Sequence, residues 1–168
     1  MRCYDVSLPE EKDWCVPSTL QGLLRNQGHE ISQQKIFQSF PKSTKRDGLI
    51  FNDSLFATFL SDFALRVDFK TPFRDFEVYQ NLDYFLKQVR GEVIIGYDSR
   101  VLPESIQIEN PRLHIALFLD YNSQRDLVTL AEPTFPSKSV EIPLNDLSRG
   151  ITPRVNPSSG FYEINQRN

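Results

Sequence analysis

The sequence predicts an α+β fold in which N-terminal helices pack on a C-terminal antiparallel sheet. Apolar residues recur at helical spacing through most of the first half, and β-rich apolar runs dominate from residue 92 onward. Two of these runs are joined by a short polar connection, which is typical of a β-hairpin. The length of 168 residues fits one domain, so we assign residues 1–168 to a single domain.

Start and stop signals delimit the helices of the first half. Residues 17–27 place leucines on one face, with Pro17 in the first turn and Gly28 just beyond the end. A second helix opens at Ser32, a good N-cap residue, and ends at Pro41. The apolar stripe of a third helix consists of Leu55, Phe56, Phe59, Leu60 and Phe63.

The rest of the chain combines one further helix with several strands. Residues 77–89 keep a helical period. The polar stretch 98–113 is either a wall of a cleft or an ordinary surface connection. The predicted strands are 65–69, 92–97, 114–121, 127–131, 139–144 and 160–164.

Composition excludes several classes of function. The net charge of −3 and the pI of about 5.4 argue against nucleic acid as a partner. No apolar run is long enough for a membrane helix, and neither zinc-ligand spacing nor a glycine-rich phosphate loop is present, so we expect no metal and no cofactor. The first residues lack an export signal, which favours the cytoplasm, although leaderless secretion stays open. The oligomeric state is left open.

Cys15 is the first candidate for chemistry. It directly precedes the predicted first helix, where the positive end of the helix dipole stabilises a thiolate and lowers the pKa of a thiol. The alternative is a buried structural cysteine, since free cysteines are commonly buried. Cys3, the only other cysteine, precedes any clear element and receives no role.

His114 is the second candidate. It opens an apolar strand, where an imidazole has no packing reason to stand. A structural or exposed histidine at a strand edge is the alternative. A thiol from the helical half and an imidazole from the sheet half form a pair that only tertiary folding brings together. His29, the other histidine, lies in a turn and is expected to be a surface or capping residue.

Glu132 is the candidate that orients the imidazole. A hairpin loop formed by 122–124 makes Glu132 face His114 across the ladder. A loop one residue longer puts Pro133 opposite and leaves Glu132 a diagonal neighbour. Both registers keep the carboxylate within reach of the ring. The alternative is an acid at a strand end that solvent hydrates.

These residues resemble those of the papain-like cysteine peptidases of the bacteriocin-processing, double-glycine-leader type and of their free-standing relatives. The matching segments are Trp14-Cys15-Val16-Pro17-Ser18-Thr19-Leu20, Leu113-His114-Ile115-Ala116-Leu117 and Leu130-Ala131-Glu132-Pro133. The resemblance implies a lobe of helices and a lobe of antiparallel strands with the active site between them. It also implies that Cys15 is the nucleophile and His114 the general base, with Glu132 where the family usually has Asp before a proline.

Two departures from the family pattern concern the oxyanion. The family has Gly after the catalytic cysteine, where this chain has Val16, and a Gln about six residues ahead, where this chain has Pro9. Losing one oxyanion donor costs roughly a hundred- to a thousand-fold in rate. The backbone N–H of Cys15 and the indole of Trp14 are the candidate substitutes.

The leading hypothesis is a thiol-dependent hydrolase that attacks a peptide or amide bond of a peptide or protein substrate through Cys15 and His114. A catalytically inactive module that binds a peptide or protein on the same fold is one alternative, because fold does not fix function. A thiol acyltransferase or cyclase that uses the same pair of residues is the other.

Overall fold

The computed structural model describes residues 6–11, 14–41, 53–70, 78–103, 113–134, 139–151 and 160–167. The helices in these ranges are α1 (Cys15–Asn26), α2 (Gln33–Ser39), α3 (Asp53–Ser61), α4 (Val78–Gln88) and α5 (Leu144–Gly150). The strands are β1 (Leu65–Lys70), β2 (Glu92–Asp98), β3 (Leu113–Asn122), β4 (Leu127–Ala131), β5 (Ser139–Pro143) and β6 (Gly160–Gln166). A short 3-10 turn, Ser99–Val101, follows β2.

The strands form one sheet in the order β1-β6-β2-β3-β4-β5, and the neighbours are antiparallel. β1 comes from the first half of the chain but pairs with β6, the last strand. The sheet is therefore assembled from both halves, while the predicted hairpin β3–β4 lies in its interior.

Alternate residues of the central strands supply two separate apolar cores, as the two-residue period of a strand requires. Ile94, Ile115 and Leu117 pack with the residues of α1, α2 and α3 on one face. Val93 and Ala116 pack with the residues of α4 and α5 on the other face. The N-terminal helices therefore cover one face of the sheet, and α4 and α5 cover the opposite one.

A glycine in the middle of α1 lets the segment that contains Val6 lie close to the helix. A Cβ atom added at Gly22 would lie 2.9 Å from a methyl carbon of Val6 and 3.4 Å from a methyl carbon of Leu117 on β3. A larger side chain would therefore displace Val6. At its C-terminal end the helix is followed by Gln27, whose side-chain oxygen accepts a hydrogen bond from Gln166 at the end of β6.

Most of the predicted elements are present, with one correction. Ser32 caps α2 by accepting a hydrogen bond from the N–H of Lys35, as its sequence position predicts. The predicted strand 139–144 ends at Pro143, and Leu144 instead begins α5. The helix predicted at 17–27 begins earlier, at Cys15. Residues 104–112 of the predicted polar stretch, like Cys3, lie outside the described residues.

Among the described residues, no helix combines the length and the apolar character that crossing a membrane requires.

Candidate active site

Cys15 is the first residue of α1, and Trp14 is its N-cap. The side chain of Cys15 is half-buried and is not part of a disulfide. The indole of Trp14 stacks on Phe37 of α2, with 4.6 Å between the ring centroids. This stacking fixes the N-cap residue against α2 and leaves the thiol at the positive end of the helix dipole.

The orientation of α1 brings its N-terminus to the end of the sheet where His114 stands. The Asn26 amide, at the C-terminal end of α1, donates to Glu92 at the start of β2. One turn into the helix, the Thr19 hydroxyl donates to the carbonyl of Ile115 over 3.3 Å. Cys15 lies four residues before Thr19, about 6 Å along the helix axis, and therefore beyond Ile115 on the His114 side.

The imidazole of His114 is in contact with the carboxylate of Glu132. His114 Nδ1 and Glu132 Oε1 are 2.6 Å apart, within ion-pair distance, and neither atom makes a hydrogen bond of good geometry with any described residue. Glu132 is fully buried, whereas 12% of the His114 side chain is exposed. The second oxygen, Oε2, accepts the N–H of Thr134 over 2.8 Å. The contact therefore turns Nδ1 of the ring toward the carboxylate and leaves Nε2 on the other side of the ring.

The strand register that creates this contact differs from both predicted registers. Asn122 pairs with Leu127, so the loop comprises the four residues 123–126, and the ladder shifts between Phe118 and Asp120. Continued to the strand end, the pairing of Leu117 with Ala131 puts position 134 opposite His114. Glu132 is thus a diagonal neighbour on the same face, and a glutamate is long enough to reach the ring from there.

Tyr97 is a site residue that the sequence alone did not reveal. It pairs with His114 in the β2–β3 ladder, and the ring centroids are 6.3 Å apart. Its side chain is fully buried, and its hydroxyl has no hydrogen-bond partner among the described residues. Burial, the charge of Glu132 and the charge of Cys15 raise the pKa of Tyr97 well above its ordinary value. The phenol of Tyr97 therefore stays protonated in this environment.

The segment 6–11 runs beside α1 and is held by the buried amide side chain of Gln33. The Gln33 amide nitrogen donates to the carbonyl of Leu8, and its oxygen accepts the N–H of Glu10. Gln33 also donates to Gln21 on α1. The two residues on either side of Pro9 are therefore fixed to α2, and the backbone position at which the resembled family carries its glutamine is well defined.

Val16, the residue after Cys15, is buried. Only 3% of this residue is exposed, and its side chain belongs to the apolar core between the N-terminal helices and the sheet. The valine that replaces the family's glycine therefore points away from solvent.

His29, the other histidine, has a packing role, and the described residues show no metal site. His29 is half-buried, and its ring packs edge-on against Phe63 with 5.1 Å between centroids. The described residues contain no group of three or more His, Cys, Asp or Glu side chains that is placed to hold a metal ion.

Comparison with known proteins identifies the fold. No protein-family model matches the chain, and no curated protein matches it. Its structure is similar to that of the peptidase domain of Streptococcus ComA, a bi-functional ABC transporter involved in a quorum-sensing pathway. The TM-score is 0.62 at 11% sequence identity, and the match covers 97% of each chain. At this identity the likeness establishes the fold, so the predicted α+β, papain-like fold class is confirmed.

Proposed function

We propose that the chain is a thiol-dependent peptidase in which Cys15 is the nucleophile, His114 the general base and Glu132 the carboxylate that orients the imidazole. The observation that carries the proposal is the 2.6 Å contact between His114 Nδ1 and a fully buried Glu132. This contact leaves Nε2 on the side of the ring that can take a proton from a thiol. The position of α1 supports the assignment, because its N-terminus and the start of β3 lie at the same end of the sheet.

The reaction has two stages. Nε2 of His114 takes the proton of the Cys15 thiol, and the thiolate forms a bond to the carbonyl carbon of the substrate amide. The carbon–nitrogen bond then breaks, and the imidazolium gives its proton to the leaving amine. Water attacks the thioester while Nε2 takes its proton, and the breaking carbon–sulfur bond regenerates the thiol. A second amine in place of water would give acyl transfer, which product analysis distinguishes from hydrolysis.

The developing oxyanion is stabilised by the start of α1. The N–H of Cys15 points out of the N-terminal end of the helix, as the first N–H groups of any helix do. The indole N–H of Trp14, the preceding residue, is the proposed second donor. Pro9 contributes none, because a proline has neither a backbone N–H nor a polar side chain.

Alkylation of Cys15 tests the dyad without knowledge of the substrate. In a Cys3→Ser background Cys15 is the only thiol, so its reaction with iodoacetamide near pH 6 can be followed alone. We expect the folded protein to react at least about tenfold faster than the urea-unfolded chain, because the dyad raises the thiolate fraction. His114→Ala should remove this advantage, whereas His29→Ala, the matched control, should keep it. Equal rates in folded and unfolded protein would contradict the proposal.

Cleavage itself is tested on a mixture of peptides derived from a proteome digest. New termini detected by mass spectrometry, and absent with Cys15→Ser, would establish hydrolysis of peptide bonds. A cytoplasmic location, like the single domain spanning 1–168, remains a prediction from the sequence.

A peptide-binding module without catalysis is the second candidate, and Pro9 is the observation that favours it. The fixed segment around Pro9 presents a proline where the resembled family has an amide donor. A binding module would retain peptides on the Cys15→Ser variant and on the wild-type chain alike, with no new termini from either. If Cys15 were alkylated fast and no new termini appeared, the chain would have a reactive thiol beside the imidazole but no working oxyanion site.

A further inference from the structure

We infer that Arg100 is a specificity-determining residue, whose guanidinium binds a carboxylate of the substrate peptide close to the bond that is cleaved. The inference rests on the proposed function and names the chemistry of the substrate. It is carried by an exposed guanidinium that a buried carboxylate holds at the end of the sheet where the candidate dyad stands. The side chain of Arg100 is 65% exposed, whereas that of its partner Asp98 is 8% exposed.

The contact between Arg100 and Asp98 fixes the direction of the guanidinium. Nε of Arg100 lies 2.9 Å from each carboxylate oxygen of Asp98, and Nη2 donates to Oδ2. The same carboxylate caps the 3-10 turn by accepting the backbone N–H of Arg100 over 2.9 Å. Because the side chain and the backbone of the arginine are tied to one buried group, a ligand pays little entropy to order it.

A second edge of the guanidinium is available to a ligand. A guanidinium carries five N–H donors in a planar fork. Asp98 occupies the edge formed by Nε and Nη2. Among the described residues, no acceptor contacts the edge formed by Nη1 and the other N–H of Nη2. This edge matches the two oxygens of a carboxylate, which arginine binds through two parallel hydrogen bonds.

The ion pair lies at the level of the candidate thiol along the sheet. Ile115, which accepts the hydrogen bond from Thr19 of α1, pairs with Gly96 of β2. From this point Asp98 is two residues further along β2, about 7 Å. Cys15 is four residues back along α1, about 6 Å in the same direction. A peptide bound at the thiol therefore passes close to the guanidinium.

The ligand is a carboxylate of this peptide, from either an acidic side chain or the C-terminus. An extended peptide advances about 3.3 Å per residue, so the carboxylate belongs to a residue within about four positions of the cleaved bond. The chain as a whole carries a net charge of −3, which does not attract acidic peptides. Selection of a carboxylate must therefore come from a local cation such as Arg100.

The test is alkylation of Cys15 by iodoacetylated peptides in the Cys3→Ser background. Each peptide carries an iodoacetyl group, one to four glycines and then glutamate or glutamine, with an amide at the C-terminus. A third series ends in glutamine with a free C-terminal carboxylate. At the best spacing we expect a peptide with a carboxylate to react about tenfold faster than its neutral counterpart, as for one charge-assisted contact. The series with the larger ratio identifies the source of the carboxylate.

Variants of the arginine establish where the preference arises. Arg100→Gln should reduce the ratio to about one, and Arg100→Lys should give an intermediate ratio, since lysine keeps the charge but loses the planar fork. Arg66→Gln is the matched control and should keep the tenfold ratio. Arg66 is also 65% exposed and also pairs with an aspartate two residues away, but it lies on the edge strand β1. Each ratio compares two reagents on one variant, so changes in the reactivity of the thiol itself cancel.

The outcomes separate this inference from the proposed function. A ratio near one at every spacing in the parent protein, or a ratio no smaller in Arg100→Gln than in Arg66→Gln, would overturn the inference, while fast reaction with iodoacetamide would still support the dyad. Slow reaction with iodoacetamide together with a tenfold ratio would contradict the proposed function instead, and would leave a carboxylate site beside an unactivated thiol.

Discussion

The two halves of the candidate site are built in different ways. The imidazole half, which comprises Tyr97, His114, Glu132 and Thr134, consists of buried side chains and backbone that contact one another across three strand ends. The thiol half, which comprises Pro9, Trp14, Cys15 and Val16, relies on the start of a helix and on main-chain groups. The imidazole is therefore held by a side-chain contact, whereas the thiol is placed by the start of a helix.

This difference teaches which substitutions affect folding and which affect chemistry alone. Buried polar contacts contribute to stability because breaking one leaves a buried partner unsatisfied. A half-buried thiol at a helix start contributes little to folding. Substitutions in the imidazole half should therefore change both the free energy of unfolding and the proposed reaction, and substitution of Cys15 mainly the proposed reaction.

The largest effect on stability is expected for Glu132→Ala. The variant leaves the part-buried N–H of Thr134 and the buried Nδ1 of His114 without the carboxylate, and we expect the free energy of unfolding to fall by about 3 kcal/mol. Urea unfolding measures it, with Glu141→Ala on the exposed side of β5 as the control. A loss below about 1 kcal/mol would mean that the carboxylate contact is not formed in solution.

The thiol half is tested by restoring a donor. Pro9→Gln adds an amide at the position where the resembled family carries one, and we expect turnover of a cleaved peptide to rise at least about tenfold. The backbone contacts of Gln33 to Leu8 and Glu10 do not involve Pro9, so the segment keeps its place. Pro9→Met, which has similar length but no amide, is the control. Equal turnover by the two variants would argue against an oxyanion site beside residue 9.

The contact that joins the two halves is expected to have a smaller effect. Thr19→Val removes the hydrogen bond from α1 to the carbonyl of Ile115, and we expect a loss of about 1–2 kcal/mol in the free energy of unfolding. The same change at Thr58, an exposed residue of α3, should alter it by less than about 0.5 kcal/mol. Equal losses of unfolding free energy for Thr19→Val and Thr58→Val would indicate that only its apolar face holds α1 on the sheet.

The smallest effect concerns an ion pair beside Tyr97. A side-chain hydrogen bond from Arg100 holds the pKa of Asp98 below its ordinary value. The folded protein thus gains stability above about pH 4, the ordinary range of a carboxyl group, and loses it as the pH falls through the lower folded-state value. Arg100→Gln should lower the free energy of unfolding only slightly at pH 7 and less at pH 3, since the arginine is mostly exposed. A cost that persisted undiminished at pH 3 would contradict this origin.

Local signals in the sequence predicted the elements of the site, but its contacts required the tertiary structure. The cap at Ser32, the first helix and the hairpin follow from short-range patterns. The register of the hairpin does not, because Asp126 adopts a left-handed backbone and the ladder shifts along β3, and neither event has a clear sequence signature. The contact of Glu132 with His114 nevertheless occurs, since a long side chain tolerates a shifted register.

Two omissions have physical causes. Residues 139–144 continue an alternating apolar pattern through Leu144, and a seven-residue helix such as α5 is too short to show a helical period against it. Tyr97 looked like the end of a buried strand, because the long connection between β2 and β3 hides which residue pairs with His114. Once that pairing is known, an aromatic ring directly opposite the histidine is the signal that identifies it.

The hydrogen bond between Gln166 and Gln27 has a practical consequence for handling the molecule. It ties the last strand to the far end of α1, and the 12 residues of that helix separate this point from the sulfur by about 18 Å. The attachment point of a fluorophore or a solid support placed after β6 therefore lies far from the thiol. Immobilised protein should leave that sulfur open to reagents, which makes surface-based kinetics feasible.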